Sequence, residues 1–159
     1  MKLVAPQLYV GTIDDYNDLS INESWYTVSL AKDPLHRQMV GYTGRACDKS
    51  NPEYLYAVRE NGIFCNLIDV DDVNYIHKSI IDAAVDYAVI AINRKKNVLV
   101  CCNKAESRSP IIAMLIMKRF GYFKNLSFEE SEIEFKKIYS QYNPKRGMQD
   151  YSVIHWNEY

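Results

Sequence analysis

Hydrophobic residues change their spacing several times along this chain, which predicts strands alternating with helices. Short aliphatic or aromatic runs are typical of buried strands, and four of them occur, at 8–11, 25–30, 63–68 and 98–100. Between 76 and 92 apolar residues recur every four positions, as they do on one side of an amphipathic helix. A further apolar run at 111–117 follows Pro110 and ends before Gly121, which predicts a buried helix.

Turn and cap signals set the limits of the remaining predicted helices and loops. Ser127 and Glu130 have capping-box spacing at the start of a predicted helix, which Asn143-Pro144 stops. Residues 148–159 predict a last short helix. Residues 31–53 are polar and rich in turn formers, so we expect a long loop there.

A hairpin is predicted around Asn61-Gly62, with arms at 53–59 and 63–68. A short helix started by Asn51-Pro52 is the alternative for the first arm. Because strands alternate with helices and the 98–100 strand is apolar throughout, we expect an α/β fold with a mostly parallel central sheet flanked by helices. In such a sheet the functional site lies at the carboxyl ends of the strands.

The composition is that of an ordinary globular chain and limits its partners. The 159 residues are 48% apolar and 25% charged, so we expect one domain over residues 1–159. A net charge of −1 argues against nucleic-acid binding, beyond a possible substrate, and against attachment to an anionic membrane. No apolar run is long enough to span a bilayer, and the stretch before Pro6 is too short for a secretion signal.

The cysteines indicate a reducing environment. Their spacing does not match a zinc site, so we expect neither a metal nor another cofactor. Cys101 and Cys102 are adjacent, which also makes a disulfide framework a poor explanation. We therefore expect reduced thiols and a cytoplasmic protein.

The stretch from 98 to 110 carries the strongest chemical signal, because a predicted strand, a polar loop and a helix start follow one another there. Five residues separate Cys102 from Arg108 in that loop. A loop over a helix N-terminus turns backbone N–H groups towards a tetrahedral anion, and an arginine adds a two-pronged donor. The same positive field favours the thiolate of a cysteine, which can attack a bound phosphate to form phosphocysteine.

This stretch resembles the phosphate loop of the cysteine-dependent protein phosphatases, whose motif is His-Cys-x5-Arg followed by Ser or Thr. The resemblance implies that Cys102 is the nucleophile, Arg108 the phosphate clamp and Ser109 the hydroxyl that helps the thiolate leave. It also implies a three-layer sandwich in which the loop joins a central strand to a helix. The phosphate would be held by the residues of the loop: Asn103, Lys104, Ala105, Glu106, Ser107 and Arg108.

Two residues depart from the family motif. Cys101 stands where histidine is usual, and Ala105 stands where glycine commonly adopts an unusual φ. For Cys101 we favour a buried apolar thiol. The alternative is redox protection, in which Cys101 or Cys65 traps oxidised Cys102.

Three carboxylates, Asp69, Asp71 and Asp72, are candidates for the general acid. A bacterial and phage-type subgroup of the family is similar over almost the whole chain, and it ends a strand with Asn-Leu-x-Asp, which matches 66–69. This similarity favours Asp69. Simple counting favours Asp71, which lies 31 residues before Cys102. Asp72 is the third candidate.

A second anion site is also possible in the long loop. The same subgroup carries a His-Arg…Gly-Tyr-Thr-Gly-Arg segment, which matches 36–45. His36, Arg37 and Arg45 could bind an anion there. The alternative is a solvated loop with ordinary charges.

Together these features predict a phosphate monoester hydrolase, a protein-tyrosine or dual-specificity phosphatase whose partner is a phosphorylated protein. Cys102 would attack phosphorus while Arg108 and the loop amides hold the oxygens, and a carboxylic acid would protonate the leaving group. One alternative is a phosphatase for a phosphorylated small molecule such as a nucleotide, an inositol or an RNA end, which a second anion site would favour. The other alternative is a catalytically degenerate module that only binds phosphate.

Overall fold

The structure, a computed structural model, describes residues 1–19 and 24–159. The described residues contain six strands: β1 (Lys2–Ala5), β2 (Leu8–Thr12), β3 (Trp25–Ser29), β4 (Tyr56–Arg59), β5 (Gly62–Cys65) and β6 (Asn97–Cys102). They form one sheet in the order β1-β2-β6-β3-β5-β4.

The four inner strands β2, β6, β3 and β5 pair in parallel, and β1 and β4 add antiparallel edges. This arrangement confirms the predicted mostly parallel sheet. The sequence did not predict β1, because this short edge strand exposes Lys2 and Leu3 and has little hydrophobic pattern of its own. β6 lies between β2 and β3, so the residue that ends it, Cys102, emerges at the middle of the carboxyl edge.

Helices cover both faces of the sheet. They are α1 (Ile13–Asp18), α2 (Arg37–Val40), α3 (Lys78–Asn93), α4 (Arg108–Arg119), α5 (Phe128–Ile138) and α6 (Arg146–His155), with shorter helical turns at Lys32–His36, Val73–Tyr75 and Trp156–Glu158. α3 to α6 lie on one side, and α1 and α2 lie on the other. The predicted α/β fold is therefore confirmed. Among the described helices, none has the length and apolarity needed to cross a bilayer.

Side chains alternate along β6 and enter two separate cores. Val98, Val100 and Cys102 belong to the larger core, beneath α3 and α4. Leu99 and Cys101 belong to the smaller core, beneath α1 and α2. Because successive side chains of a strand point to opposite faces, the thiols of Cys101 and Cys102 lie on opposite sides of the sheet.

The predicted long loop at 31–53 is partly helical, so this prediction was wrong in part. The turn Lys32–His36 and α2 lie inside it, and Leu35 from the turn packs into the smaller core. The sequence shows no hydrophobic period here because most residues of this stretch are polar. The helical turns are stabilised by the burial of a few side chains against the sheet. The segment before β4 is a turn closed from Tyr54 N to Asn51 O (2.9 Å), rather than the alternative short helix.

Helix boundaries differ from the predicted ones by a few residues. α3 begins at Lys78 because a separate helical turn, capped by Asp72, occupies Val73–Tyr75. α4 begins at Arg108, which makes Pro110 its third residue, where a helix needs no N–H donor.

The start of α5 was predicted correctly. Ser127 and Glu130 form the expected reciprocal capping box before its first turn. The last helix, α6, begins at Arg146, two residues earlier than predicted, and Asn143-Pro144 lies in the connection before it.

Candidate active site

The predicted phosphate loop connects β6 to α4 at the middle of the sheet. Cys102 ends β6 with only 2% of its surface exposed, and Arg108 begins α4 with 7% exposed. The Sγ atom of Cys102 lies 3.1 Å from the Oγ atom of Ser109, on the first turn of the helix. The structure therefore brings together the three residues that the motif assigned to nucleophile, clamp and hydroxyl.

A cleft of about 590 Å³ opens above this loop. Its lining includes predicted site residues from the loop and from the segment after β5: Asp69, Asp71, Cys102, Asn103, Lys104, Glu106, Ser107 and Arg108. It also includes four residues that the sequence did not indicate: Asn143, Pro144, Lys145 and Arg146. Neither Ala105 nor Asp72 lines the cleft.

Hydrogen bonds to strand ends fix the guanidinium of Arg108. Its Nη1 donates to the carbonyl of Leu30 after β3 (2.7 Å) and to that of Leu67 after β5 (2.9 Å). Its Nη2 donates to Oδ1 of Asn103 (2.6 Å), whereas its buried Nε has no partner among the described residues. A buried N–H without an acceptor is unfavourable. Nε is thus left for a ligand, on the Nε–Nη2 edge with which an arginine forms two-pronged contacts with phosphate.

Ala105, which stands where glycine is usual in the family motif, has a left-handed backbone with φ of 56°. Its methyl group is buried, and its carbonyl accepts a hydrogen bond from the hydroxyl of Tyr139 (2.9 Å). Burial raises the pKa of Tyr139 to about 12, so that hydroxyl keeps its proton at neutral pH. A left-handed backbone is strained for a residue with a Cβ, so Ala105 holds this conformation at a cost in stability.

The connection between α5 and α6, residues 139–145, holds three consecutive loop residues. Besides the bond to Ala105, Asn143 N donates to the carbonyl of Glu106 (2.8 Å), and Lys145 N donates to Oγ of Ser107 (2.9 Å). Two of these donors are backbone groups, which explains why no residue type in the sequence indicated this contact. The carbonyl of Glu106 is engaged by the connection, although the residue itself lines the cleft.

The three acidic candidates have different surroundings. Asp69 is half-buried, and its Oδ1 accepts a hydrogen bond from Oγ of Ser107 (2.7 Å). The Asp71 side chain is 71% exposed and lies 3.9 Å from Nζ of Lys145. Asp72 accepts from the backbone and side chain of Asn74 and caps the turn at Val73–Tyr75. Asp69 and Asp71 therefore line the cleft, Asp69 with a hydrogen bond that fixes it, whereas Asp72 does not line it.

The structure does not support the second anion site proposed for the long loop. His36 is fully buried, with its ring nitrogens at 3.3 Å from the Tyr42 hydroxyl and 2.9 Å from the Glu53 carbonyl. Arg37 donates from Nε to Asp33 (2.6 Å), while Arg45 is exposed. Both ring nitrogens of His36 thus have partners within the protein, and Asp33 offsets the charge of Arg37.

Cys101 and Cys65 have the character of buried apolar thiols. Both are fully buried, and burial raises the pKa of each, to about 12 for Cys101. A high pKa disfavours the thiolate that would have to attack oxidised Cys102. Together with the opposite orientation of Cys101, this argues against redox protection by either residue. Within the described residues, no three His, Cys, Asp or Glu side chains are grouped to hold a metal ion.

Comparisons with known proteins agree with this geometry. No family model matches the sequence, and no curated protein matches it. Several solved structures do match. The structure of DUSP15 superposes with a TM-score of 0.69 at 17% identity, and the alignment covers 98% of this chain and 86% of the DUSP15 chain. Human DUSP28 has a TM-score of 0.63 at 13% identity, covering 99% of both chains.

A third match is the human tyrosine phosphatase-like serine/threonine/tyrosine-interacting protein. Its TM-score is 0.62 at 14% identity, and the alignment covers 98% of this chain and 97% of that one. Sequence identity is low in all three cases, whereas the alignments extend over nearly the whole chain. The chain therefore has the fold of the dual-specificity phosphatases.

Proposed function

We propose that this protein is a cysteine-dependent phosphatase that hydrolyses phosphate monoesters of protein tyrosine, with or without serine and threonine. The observation that carries the proposal is the fixed Arg108 guanidinium, whose buried Nε has no partner among the described residues and which lines the same cleft as the nearly buried thiol of Cys102. The four unpaired cysteines support a reducing compartment such as the cytoplasm. The similarity to the bacterial and phage-type subgroup stays a prediction.

The first step forms a bond from Cys102 Sγ to phosphorus and breaks the bond to the ester oxygen. Arg108 and the loop N–H groups hold the three non-bridging oxygens as their charge develops. The departing oxygen takes a proton from a carboxylic acid, and the products are an alcohol and phosphocysteine.

The second step hydrolyses phosphocysteine. The carboxylate removes a proton from water, the water oxygen bonds to phosphorus, and the phosphorus–sulfur bond breaks. The thiolate then leaves beside the Ser109 hydroxyl, which lies close enough to donate a hydrogen bond to it. The active site returns to its starting state after inorganic phosphate dissociates.

We assign the general acid to Asp69. It is held by Ser107, whereas Asp71 is largely exposed and Asp72 serves as a cap. A catalytic group needs a fixed position, because misplacement by about 1 Å can cost on the order of 100-fold in rate. The contacts of Asp69 therefore support the choice that the strand-end motif favoured.

A phosphorylated protein is the favoured substrate class over a small molecule. A second anion site at His36, Arg37 and Arg45 would have favoured the small-molecule alternative, and His36 and Arg37 already have partners within the protein. The degenerate alternative concerned the whole loop, including its departures at Cys101 and Ala105, and Ala105 has a positive φ of 56°, of the kind that glycine allows.

Turnover of p-nitrophenyl phosphate and of phosphotyrosine peptides, with vanadate inhibition and with chelator present, tests the proposal. Cys102→Ser is expected to abolish turnover yet still bind vanadate or phosphate. Cys101→Ser, at the adjacent position but on the other face, is the matched control and is expected to stay active. No turnover by the unmodified protein, or an active Cys102→Ser variant, would overturn the proposal.

Arg108→Lys tests the two-pronged contact. Lysine keeps the charge but loses the planar fork, so the rate is expected to fall roughly 100-fold or more. Steady-state kinetics on phosphotyrosine peptides would measure the loss, with circular dichroism as the check on folding. A near-normal rate for Arg108→Lys would contradict the assigned contact.

A further inference from the structure

Ser107 has an unusual role for the residue that precedes a helix. It is the N-cap of α4, a position where a serine hydroxyl ordinarily accepts from the first N–H groups of its own helix. Here that hydrogen bond is absent. The hydroxyl instead lies between Asp69 and Lys145, with only 4% of the residue exposed.

The chemistry of the two partners fixes the direction of both hydrogen bonds. The backbone N–H of Lys145 can only donate, so Ser107 Oγ accepts from it (2.9 Å). The hydroxyl proton then points to Asp69 Oδ1, 2.7 Å away. Among the described contacts, Oδ2 of Asp69 has no protein donor, so it is the oxygen left to carry the catalytic proton.

We propose that Ser107 is a positioning residue that orients Asp69 for proton transfer to the leaving group. The inference rests on the proposed function and adds a residue to it. Because Ser107 belongs to the phosphate loop, its hydroxyl ties the acid to the element that holds the phosphate. Lys145 N fixes the hydroxyl from its other side, so the orientation of the acid also depends on the α5–α6 connection.

A purely structural role for Ser107 would give a different result on mutation. If Ser107 only supported the phosphate loop, its loss would impair the attack of Cys102 on every substrate. If it acts through Asp69, its loss impairs only the steps that need the acid. Substrates with good leaving groups need little protonation, so they separate the two roles.

Ser107→Ala is therefore tested on a series of aryl phosphates with increasingly poor leaving groups, alone and combined with Asp69→Asn. We expect the fall on phosphotyrosine to exceed the fall on p-nitrophenyl phosphate by about tenfold or more, because only the poorer leaving group needs the acid. In the Asp69→Asn background, Ser107→Ala is expected to cause no further loss, since residues that act as a unit are not additive. Ser107→Thr, which keeps the hydroxyl, is expected to restore the rate.

Ser152→Ala is the matched control, because Ser152 is also buried and its hydroxyl donates to the backbone of its own helix at Met148. It is expected to keep the leaving-group dependence of the unmodified protein. Equal losses on all substrates, or an added loss in the Asp69→Asn background, would overturn the positioning role while leaving phosphatase activity intact. An inactive unmodified protein would instead refute the proposed function.

Discussion

At the scale of single residues, one part of the Arg108 guanidinium binds the protein backbone, and another part is available to the proposed phosphate ligand. Nη1 is committed to two backbone carbonyls, those of Leu30 and Leu67. These bonds tie the loop to the ends of two strands, and they orient the remaining edge before any substrate arrives. A preorganised donor of this kind needs no reorganisation when charge develops on the phosphoryl oxygens.

Ala105 supplies a stability prediction at the same scale. Its φ of 56° is unfavourable for a residue with a Cβ, whereas glycine adopts it freely. Ala105→Gly loses a buried methyl group but relieves this strain, so we expect the free energy of unfolding to be unchanged or raised by up to about 1 kcal/mol. Urea unfolding at pH 7 measures it.

Ala113→Gly is the matched control for that substitution. Ala113 is buried in the middle of α4, where glycine is expected to lower the free energy of unfolding by about 1 kcal/mol or more. Equal destabilisation by Ala105→Gly and Ala113→Gly would show that the left-handed conformation of Ala105 imposes no net cost.

At the scale of elements, the segment after β5 that carries the proposed general acid, Asp69, is held against α6. Gly147 N, near the start of α6, donates to the carbonyl of Val70 (3.2 Å), the residue after Asp69. The neighbouring α5–α6 connection holds the phosphate loop. One region of the chain thus supports both parts of the proposed site, which lie far from it in the sequence.

Gly147→Ala is expected to displace the acid. A Cβ at this position would lie 2.4 Å from the Val70 carbonyl oxygen, so the acid segment or α6 must shift. We expect destabilisation of about 1–3 kcal/mol, as in overpacked cores. We also expect a larger fall in the rate on phosphotyrosine than on p-nitrophenyl phosphate, because only the former needs the acid.

Gly44→Ala is the control for that variant. Gly44 is exposed, and an added Cβ would meet the carbonyl of Ala46 at an ordinary 3.7 Å. Melting temperature and the ratio of rates on the two substrates are expected to stay unchanged. The same unchanged ratio in Gly147→Ala would contradict a role for α6 in placing the acid.

At the scale of the whole molecule, His36 joins the long segment before β4 to the body of the protein. Its ring contacts Tyr42 and Glu53, and Glu53 in turn pairs with Arg59 of β4 through both carboxylate oxygens (2.6 and 3.1 Å). Arg59 also donates to the carbonyl of Met39 at α2 (2.7 Å). Burial lowers the pKa of His36, so the folded protein keeps its ring neutral.

This lowered pKa predicts a loss of stability in mild acid. Unfolded histidine binds a proton near pH 6.5, whereas folded His36 resists protonation until the pH falls to its lower folded pKa. The unfolded state therefore binds more protons as the pH drops below about 6.5, and the free energy of unfolding falls by at most about 1.4 kcal/mol per pH unit.

Melting temperatures at pH 7.5 and 5.5 test this prediction. The fall on acidification is expected to be smaller in His36→Gln, which cannot titrate, than in the unmodified protein. His77→Gln, at an exposed position, is the control and is expected to reproduce the fall of the unmodified protein. An equal fall in His36→Gln would show that His36 does not control the acid sensitivity.

Local patterns in the sequence determined the α/β class, most helices and strands, and the Cys102-to-Arg108 loop. These features are accessible because hydrophobic period, capping residues and a loop of five intervening residues depend on near neighbours in the chain. The resemblance also indicated an unusual φ at position 105, and Ala105 has a φ of 56° although it is not glycine.

Only the tertiary structure decided which groups meet at the loop. The acceptors of Arg108 come from positions 78 and 41 residues away, and Ser107 meets both Asp69 and Lys145 across 38 residues. Several of these partners are backbone groups, which every residue type presents alike. The different surroundings of the three acidic candidates and the internal partners of His36 depend on packing over such distances, which no local pattern encodes.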